Sequence, residues 1–213
     1  MKTKIVKVES RIDKMGKTID VAVKALHNKG IIIFPTETSY GLGCDATNEE
    51  AIKKIFELKG RDYEKSLPII VSDARMIKEY ANLNPLAEYL IEQYLPGPLT
   101  IIVEKNEKIS DSLSKNGIAF RIPSREFTRL LVQEAGVPLV STSANASGKQ
   151  QPYNISEVIQ EFDGKVDVII DSGNLPPINP STIIDTRREP PEILREGPLS
   201  GKELLKEIAK HKK

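Results

Sequence analysis

Two short segments of the sequence place small polar side chains directly after apolar runs that are typical of buried strands. In "IIIFPTETSYGLGCDA", residues 31–46, the hydroxyl groups begin at Thr36, and "STSANASG", residues 141–148, follows the apolar "PLV" in the same way. The first strand should end at Pro35, because proline cannot donate to a sheet ladder. Ser and Thr often bond only to their own turn. Two such clusters together favour a site where hydroxyl, amide and main-chain N–H groups approach a polar ligand.

Four cationic residues outside these segments could complete an anion site. They are Lys59, Arg61, Arg121 and Arg195. Arginine holds a carboxylate through two parallel hydrogen bonds, and lysine and arginine both offset phosphate charge. Arg121 lies between Phe120 and Ile122 in a strand-like run, so its side chain is turned either into a polar site or onto an exposed sheet face. The pattern alone leaves both alternatives open.

Three familiar motifs are matched only in part. "GKT" at 16–18 lacks the earlier glycine of a phosphate loop, and "GLGCDA" at 41–46 is separated from its strand by "PTETSY". "SLSK" at 112–115 has the spacing of a serine nucleophile and its lysine but lies in a polar loop. We therefore interpret Thr18 as a helix cap and residues 112–115 as a solvated loop.

The composition excludes several classes of function. The 213 residues carry 31 Lys plus Arg against 30 Asp plus Glu, and a net charge of +1 indicates neither a nucleic-acid binder nor an acidic tail. Cys44 is the only cysteine, and His27 and His211 are far apart in sequence, so one chain can build neither a disulfide framework nor a zinc cluster. No apolar run reaches the roughly 18 residues of a membrane span. We expect a cytoplasmic protein with no targeting segment and no membrane contact.

Strand-like and helix-like segments alternate with short connections, which predicts a mixed α/β fold. The expected helices are "TIDVAVKALHNKG", "TNEEAIKKIFELKG", residues 86–94, 125–135 and 155–162, and the final "LSGKELLKEIAKHKK". The expected strands are residues 31–34, "LPIIVS", "LTIIVE", "IAFRIP", "PLVSTS", "VDVIID" and "STIIDT". "LTIIVEK" and "IAFRIP" follow one another without a helix between them. The prediction is therefore one large, twisted sheet of mixed parallel and antiparallel strands, flanked by helices.

Helix ends are marked by cap residues. Thr47 with Glu50, and Ser200 with Glu203, have the spacing of a capping box. Gly30 and Gly60 follow the first two helices, where glycine commonly takes the left-handed conformation.

Eight sequence elements occur in one order between about residues 15 and 200. They are "FPTETSYGLGCDA", "KGR" at 59–61, "LPIIVSD", "LPGPLTIIV", "AFRIP", "STSANASG", "PSTIID" and "LREG". Each alone carries little information, but jointly they are specific. In this order the chain resembles the YrdC/Sua5 family of threonylcarbamoyl-adenylate synthases, and "KGR" matches the Lys-x-Arg element of that family.

The resemblance implies a YrdC-like α/β fold with a concave, electropositive site. It implies one domain over residues 1–213, of the short family form, with a core at about 15–200 and a C-terminal helix at about 200–210. The implied activity joins L-threonine, bicarbonate and ATP into threonylcarbamoyl-AMP, with release of pyrophosphate. The threonylcarbamoyl group later reaches adenosine 37 of tRNA as t6A through other proteins.

The resemblance also assigns site residues by position. It places Thr36, Ser72, Arg121, Ser141 and Ser181 on the threonine side. It places Lys59, Arg61, Ser143, Asn145, Gln151 and Arg195 on the ATP side. Lys59, Arg61 and Arg121 would be the catalytic residues, acting through positioning and charge stabilisation. Ser72 and Gln151 depart from the family pattern, which often has histidine at the first position and serine at the second.

The metal and the macromolecular partners follow from the same resemblance. Mg²⁺ is expected on the ATP phosphates, although the sequence offers no dedicated carboxylate cage for it. The expected partners are the t6A transfer proteins and a contact with tRNA or double-stranded RNA.

Two other functions stay open. The first is an O-carbamoyltransferase of the hydrogenase-maturation type, whose usual acylphosphatase-like and zinc-finger segments have no counterpart in this sequence. The second is a non-catalytic RNA-binding module, which the near-neutral charge disfavours.

Overall fold

A computed structural model describes residues 2–8, 12–146 and 151–211. Within these residues the helices are α1 (Ile12–His27), α2 (Glu49–Lys59), α3 (Ala74–Lys78), α4 (Pro85–Tyr94), α5 (Glu126–Ala135), α6 (Ile155–Phe162) and α7 (Gly201–His211). The predicted helices all exist, and α3 is an additional short one. Their apolar residues recur at helical spacing, which made them visible in the sequence. Among the described residues, no helix combines the length and apolar character that crossing a membrane requires.

The first helix begins earlier than predicted and ends differently. Thr18 lies inside α1 rather than at its cap, and its hydroxyl donates to the carbonyl oxygen of Lys7 at 2.8 Å. The "GKT" segment is therefore helical. After α1 the left-handed residue is Lys29, with φ 60°, and not Gly30. Gly30 is needed for space, because a Cβ atom there would lie 2.7 Å from the carbonyl oxygen of Ala25.

The predicted capping boxes have different outcomes. The cap of α2 is Asn48, whose side chain accepts a hydrogen bond from the main-chain N–H of Ala51. Thr47 instead donates to Asp45, so the predicted box with Glu50 is wrong. Ser200 does accept from the N–H of Glu203, at 3.4 Å, at the start of α7. The left-handed conformation predicted for Gly60 is present, with φ 56°.

The strands divide between two sheets rather than one. In chain order they are β1 (Lys4–Lys7), β2 (Ile32–Pro35), β3 (Tyr40–Gly43), β4 (Ile69–Ile70), β5 (Ala81–Asn82), β6 (Leu99–Lys105), β7 (Ile118–Arg121), β8 (Leu139–Val140), β9 (Thr142–Ser143), β10 (Val168–Asp171), β11 (Thr182–Asp185) and β12 (Glu192–Arg195). The first sheet has the order β1-β10-β2-β3-β9. The second has the order β12-β11-β6-β7-β4-β8, and β5 pairs with β6. Both sheets mix parallel and antiparallel pairs, and β6 with β7 is antiparallel as predicted.

The chain passes from the second sheet to the first at Ser141. Val140 ends β8, Thr142 begins β9, and the N–H of Ser141 donates to the carbonyl oxygen of Pro68 at 2.9 Å. The single predicted strand "PLVSTS" is therefore two short strands in different sheets. This crossing brings residues of both sheets to one place.

Apolar residues from both layers form the interior. Helices α1 and α5 cover one face of the first sheet, where Leu26, Leu131 and Ile170 are buried together. A larger cluster packs residues of both sheets against α2, α4 and α7, and it includes Phe56 and Phe120. These clusters fix the strand ends that carry the polar residues.

Candidate active site at the meeting of the two sheets

A cavity of about 390 Å³ lies where the strand ends of both sheets meet. Eight of the eleven predicted site residues line it: Thr36, Arg61, Arg121, Ser141, Ser143, Gln151, Ser181 and Arg195. Its described lining contains three arginines and no carboxylate. A small space with this charge suits an anionic ligand.

The turn after β2 supplies the first hydroxyl group. Thr36 is buried, and its hydroxyl donates to the carbonyl oxygen of Ser39 at 2.7 Å. The Thr36 hydroxyl oxygen in turn accepts from the N–H groups of Thr38 and Ser39, each at 3.2 Å. Thr36 therefore holds together a tight polar turn at the cavity wall. The following residues, Tyr40–Gly43, form β3, a strand that the sequence analysis missed.

Glycine in β3 allows the two hydroxyl segments to meet. Gly41 pairs with Ser143 of β9. At Gly43 a Cβ atom would lie 2.2 Å from the carbonyl oxygen of Val140, so only glycine permits this close approach of main chains. Ser147 and Gly148, the last residues of the second polar segment, lie outside the described residues.

Lys59 and Asn145 lie behind the lining rather than in it. The Lys59 ammonium donates to the carbonyl oxygens of Ser143 at 2.6 Å and of Asn145 at 2.8 Å. The Ser143 hydroxyl donates to Oδ1 of Asn145 at 2.5 Å. Burial lowers the pKa of Lys59 from 10.5 to about 8, and the nearby charge of Arg61 acts in the same direction. In this structure Lys59 fixes the shape of residues 143–145, on which the cavity wall depends.

Arg121 is buried, which excludes the exposed sheet face that its sequence pattern left open. Only 9% of its side chain is accessible, and its Nη1 donates to Oε1 of Glu37. Burial lowers the pKa of Arg121, and Glu37 opposes that effect. The other guanidinium N–H groups can still serve a ligand, because arginine carries five donors. Glu37 was not singled out from the sequence, although its place between Thr36 and Thr38 could have indicated it.

Arg195 contacts Ser181, which immediately precedes β11, the neighbouring strand of the same sheet. Its Nε donates to the Ser181 carbonyl oxygen at 2.9 Å and its Nη2 to the hydroxyl at 3.2 Å. The Ser181 hydroxyl lies 2.6 Å from that of Thr100, a lining residue that the sequence analysis missed. Burial lowers the pKa of Arg195, and so does the positive charge of Arg121. The two arginines therefore share one electrostatic environment.

The remaining predicted residues occupy different places. Arg61 donates to the carbonyl oxygen of Ser66 at 2.9 Å, and both residues line the cavity. Gln151 lines it too, and its side-chain oxygen accepts from the hydroxyl of Tyr153 at 3.3 Å. Ser72 is not part of the lining; its hydroxyl contacts the sulfur of Met76 at 3.8 Å, near the start of α3. The predicted threonine contact of Ser72 would need a different arrangement.

Known proteins share this fold and much of this sequence. The family model for Sua5, YciO and YrdC, described as "Telomere recombination", matches residues 24–197. A protein of Methanocaldococcus jannaschii is 39% identical and covers 92% of this chain and 94% of its own length. The threonylcarbamoyl-AMP synthase of Pyrococcus abyssi is 35% identical, and its match spans 97% of this chain but 61% of that protein.

A solved structure extends these matches to three dimensions. The crystal structure of Pyrococcus abyssi Sua5 with L-threonine superposes with a TM-score of 0.90 at 35% identity. The superposition covers 96% of this chain and 60% of the Pyrococcus abyssi chain, so this chain corresponds to about three fifths of that protein. On its sequence, its fold and the elements that form its cavity, this chain belongs to the Sua5/YciO/YrdC family.

Proposed function

We propose that this protein makes threonylcarbamoyl-AMP and pyrophosphate from L-threonine, bicarbonate and ATP. The observation that carries the proposal is a cavity lined by Arg61, Arg121 and Arg195, with no carboxylate among its described lining residues, in a member of this family. Two of the three substrates and both products are anions, and threonine carries a carboxylate. The threonine complex of the Pyrococcus abyssi relative supports the amino-acid part of the proposal.

The buried arginine gives a place for the amino acid. Arg121 has donors left beside its contact with Glu37, and a carboxylate can accept two of them. Ser141 and Ser181 would add neutral donors nearby. Arg61 and Arg195 would contact the ATP phosphates. The lining then acts by holding the reactants together and by offsetting charge.

Mg²⁺ is expected to accompany the ATP phosphates. Among the described residues, no group of three or more His, Cys, Asp or Glu side chains converges as metal ligands. Mg²⁺ prefers oxygen ligands and usually keeps several waters when it accompanies phosphates. We therefore propose Mg²⁺ only as a companion of ATP.

The reaction product would pass to proteins that transfer the threonylcarbamoyl group to adenosine 37 of tRNA. A direct contact with tRNA or double-stranded RNA stays a prediction, and so does the identity of the transfer proteins. Neither is needed for the first reaction.

The decisive experiment measures pyrophosphate released by the purified protein. Release should require ATP, threonine and bicarbonate together, and should not require tRNA. Serine should support it modestly less well, since one methyl group in a pocket is worth only about 1 to 3 kcal/mol. Release with carbamoyl phosphate replacing threonine and bicarbonate would identify a carbamoyltransferase instead. RNA binding without pyrophosphate under any substrate combination would identify an RNA-binding module.

A further inference from the structure

Four polar side chains lie in a row across adjacent strands of the second sheet. Arg195 ends β12, Ser181 immediately precedes β11, Thr100 is the second residue of β6, and Arg121 ends β7. These strands are neighbours in the order β12-β11-β6-β7, and all four side chains line the cavity. The row thus has a cation at each end and a pair of hydroxyls between them.

The hydroxyls of Ser181 and Thr100 carry two protons, and the hydrogen bond between the two groups uses only one of them. Nη2 of Arg195 donates to the Ser181 hydroxyl at 3.2 Å, and the hydroxyls of Ser181 and Thr100 are 2.6 Å apart. Either of the two can donate to the other. Within the described residues neither hydroxyl forms a further hydrogen bond with a side chain or a carbonyl oxygen. Whichever way the pair is oriented, one O–H group stays available to a ligand in the cavity.

Because the pair is buried, its available O–H group can form a strong hydrogen bond to an anion. Thr100 and Ser181 are each 5% exposed, and the apolar residues Ile102 and Ile183 line the same cavity. A hydrogen bond to a charged oxygen is stronger than one between neutral groups, above all where water is excluded. Thr100 lies in the family element "LPGPLTIIV", but the resemblance assigned no role to it.

We propose that Thr100 binds a carbamate oxygen of N-carboxylated threonine. The order of the row matches the order of groups along the product: the threonine carboxylate at Arg121, the carbamoyl group at Thr100 and Ser181, and the adenylate phosphate at Arg195. This inference rests on the proposed function. It assigns the middle of the cavity to the intermediate that threonine and bicarbonate form.

The chemistry balances without an added reagent. The threonine ammonium gives one proton to solvent, its nitrogen bonds to the carbon of bicarbonate, and the bicarbonate hydroxyl leaves as water with a second proton of the amine. The second oxygen of the carbamate forms a bond to the α-phosphorus of ATP. The bond from that phosphorus to the bridging oxygen breaks, and pyrophosphate leaves with the electron pair. Thr100 keeps its proton throughout and holds the carbamate, which would otherwise lose carbon dioxide.

The test compares Thr100→Val with Thr100→Ser in the pyrophosphate assay. Valine keeps the branched shape that suits β6 but removes the hydroxyl, whereas serine keeps the hydroxyl. In Thr100→Val the KM for bicarbonate should rise about tenfold or more, while the threonine affinity measured without bicarbonate should stay unchanged. Thr100→Ser should resemble the unchanged protein. If Thr100→Val fails to fold, Thr100→Ala removes the same hydroxyl.

A matched control is Thr186→Val. Thr186 is also buried, its hydroxyl donates to the carbonyl oxygen of Ile102 at 2.8 Å, and it is outside the cavity lining. It should leave the bicarbonate KM unchanged. An unchanged bicarbonate KM in folded Thr100→Val, or a weaker binding of threonine alone, would overturn the inference while leaving the proposed function in place. Failure of the unchanged protein to release pyrophosphate would overturn both.

Discussion

The ammonium group of Lys59 lies 2.6 Å from the carbonyl oxygen of Ser143, to which it donates a hydrogen bond. A helix end is thereby tied to the edge strand that forms one wall of the cavity. Lys59 was predicted to contact phosphate, whereas in the structure its ammonium group donates hydrogen bonds to main-chain oxygens. Its removal should therefore affect the fold as well as the ligand.

Replacing Lys59 with Met should destabilise the protein, because two buried carbonyl oxygens lose a donor at a cost of about 1 to 3 kcal/mol. The loss should depend on pH. With a folded pKa of about 8 against an ordinary 10.5, the unfolded chain binds more protons between these values, so the contribution of Lys59 to stability rises with pH there. Urea unfolding of both proteins across this range measures the difference. Lys53→Met, at an exposed position of α2, should leave stability nearly unchanged.

Replacing Arg195 with Ala should weaken ATP binding and leave the fold intact, since the residue ends β12, an edge strand of the second sheet, and its side chain lines the cavity rather than the apolar core. The loss of a charge-assisted contact costs about 1.5 to 3 kcal/mol, which is roughly a tenfold to hundredfold weaker affinity. Calorimetric titration with ATP measures it. Arg188→Ala is the matched control, because Arg188 pairs with Glu192 at 2.6 Å and does not line the cavity. Equal affinities in the two variants would contradict the assignment.

Replacing Arg121 with Met should destabilise the protein by about 3 to 5 kcal/mol, because Glu37 keeps a buried charge without its partner. The double variant with Glu37→Gln should recover much of that loss, since neither charge remains. Both variants should need far more threonine than the unchanged protein. Denaturant unfolding and threonine titration separate the two effects. A double variant as unstable as the single one would show that the ion pair is not the cause.

Replacing Gly43 with Ala should destabilise the protein by about 1 to 3 kcal/mol, because the added methyl group meets the carbonyl oxygen of Val140 and the ring of Phe34. Gly16→Ala is the opposite case. Gly16 lies inside α1, and a Cβ atom there meets nothing within 4 Å, so alanine should stabilise by about 0.5 to 1 kcal/mol. Thermal unfolding of the two variants should show shifts of opposite sign.

The sequence predicted those elements whose residues repeat at a regular spacing. α5 and β6 are examples, since an apolar face or a continuous apolar run marks each of them. β3 was missed because "YGLG" contains two glycines, which disfavour strands, although Tyr40 and Leu42 are fully buried there. Only the pairing with β2 and β9 makes this segment a strand.

The sequence predicted which residues belong to the candidate site, but not which of them line the cavity and which are buried behind it. The two hydroxyl segments and three arginines were named, and the structure places them around one cavity. Whether a side chain reaches the cavity or is buried behind it depends on tertiary packing. Lys59 and Asn145 belong to the second group, and nothing in their local sequence distinguishes them from Arg61 or Ser143. Thr100 was hidden because a single hydroxyl inside an apolar strand resembles ordinary core composition.

The parallel pairing of β1 with β10 has a consequence for how the protein folds during synthesis. Lys4 pairs with Val168, and Lys7 pairs with Asp171. Because a ribosome releases the chain from its N-terminal end, β1 leaves long before its neighbour exists, and contacts of such wide sequence separation form slowly. The main-chain N–H and C=O groups of β1 must stay without their strand partner while the rest of the chain emerges. We expect β1 to be open to proteases in nascent chains that stop before β10, and pulse proteolysis of stalled chains would reveal it.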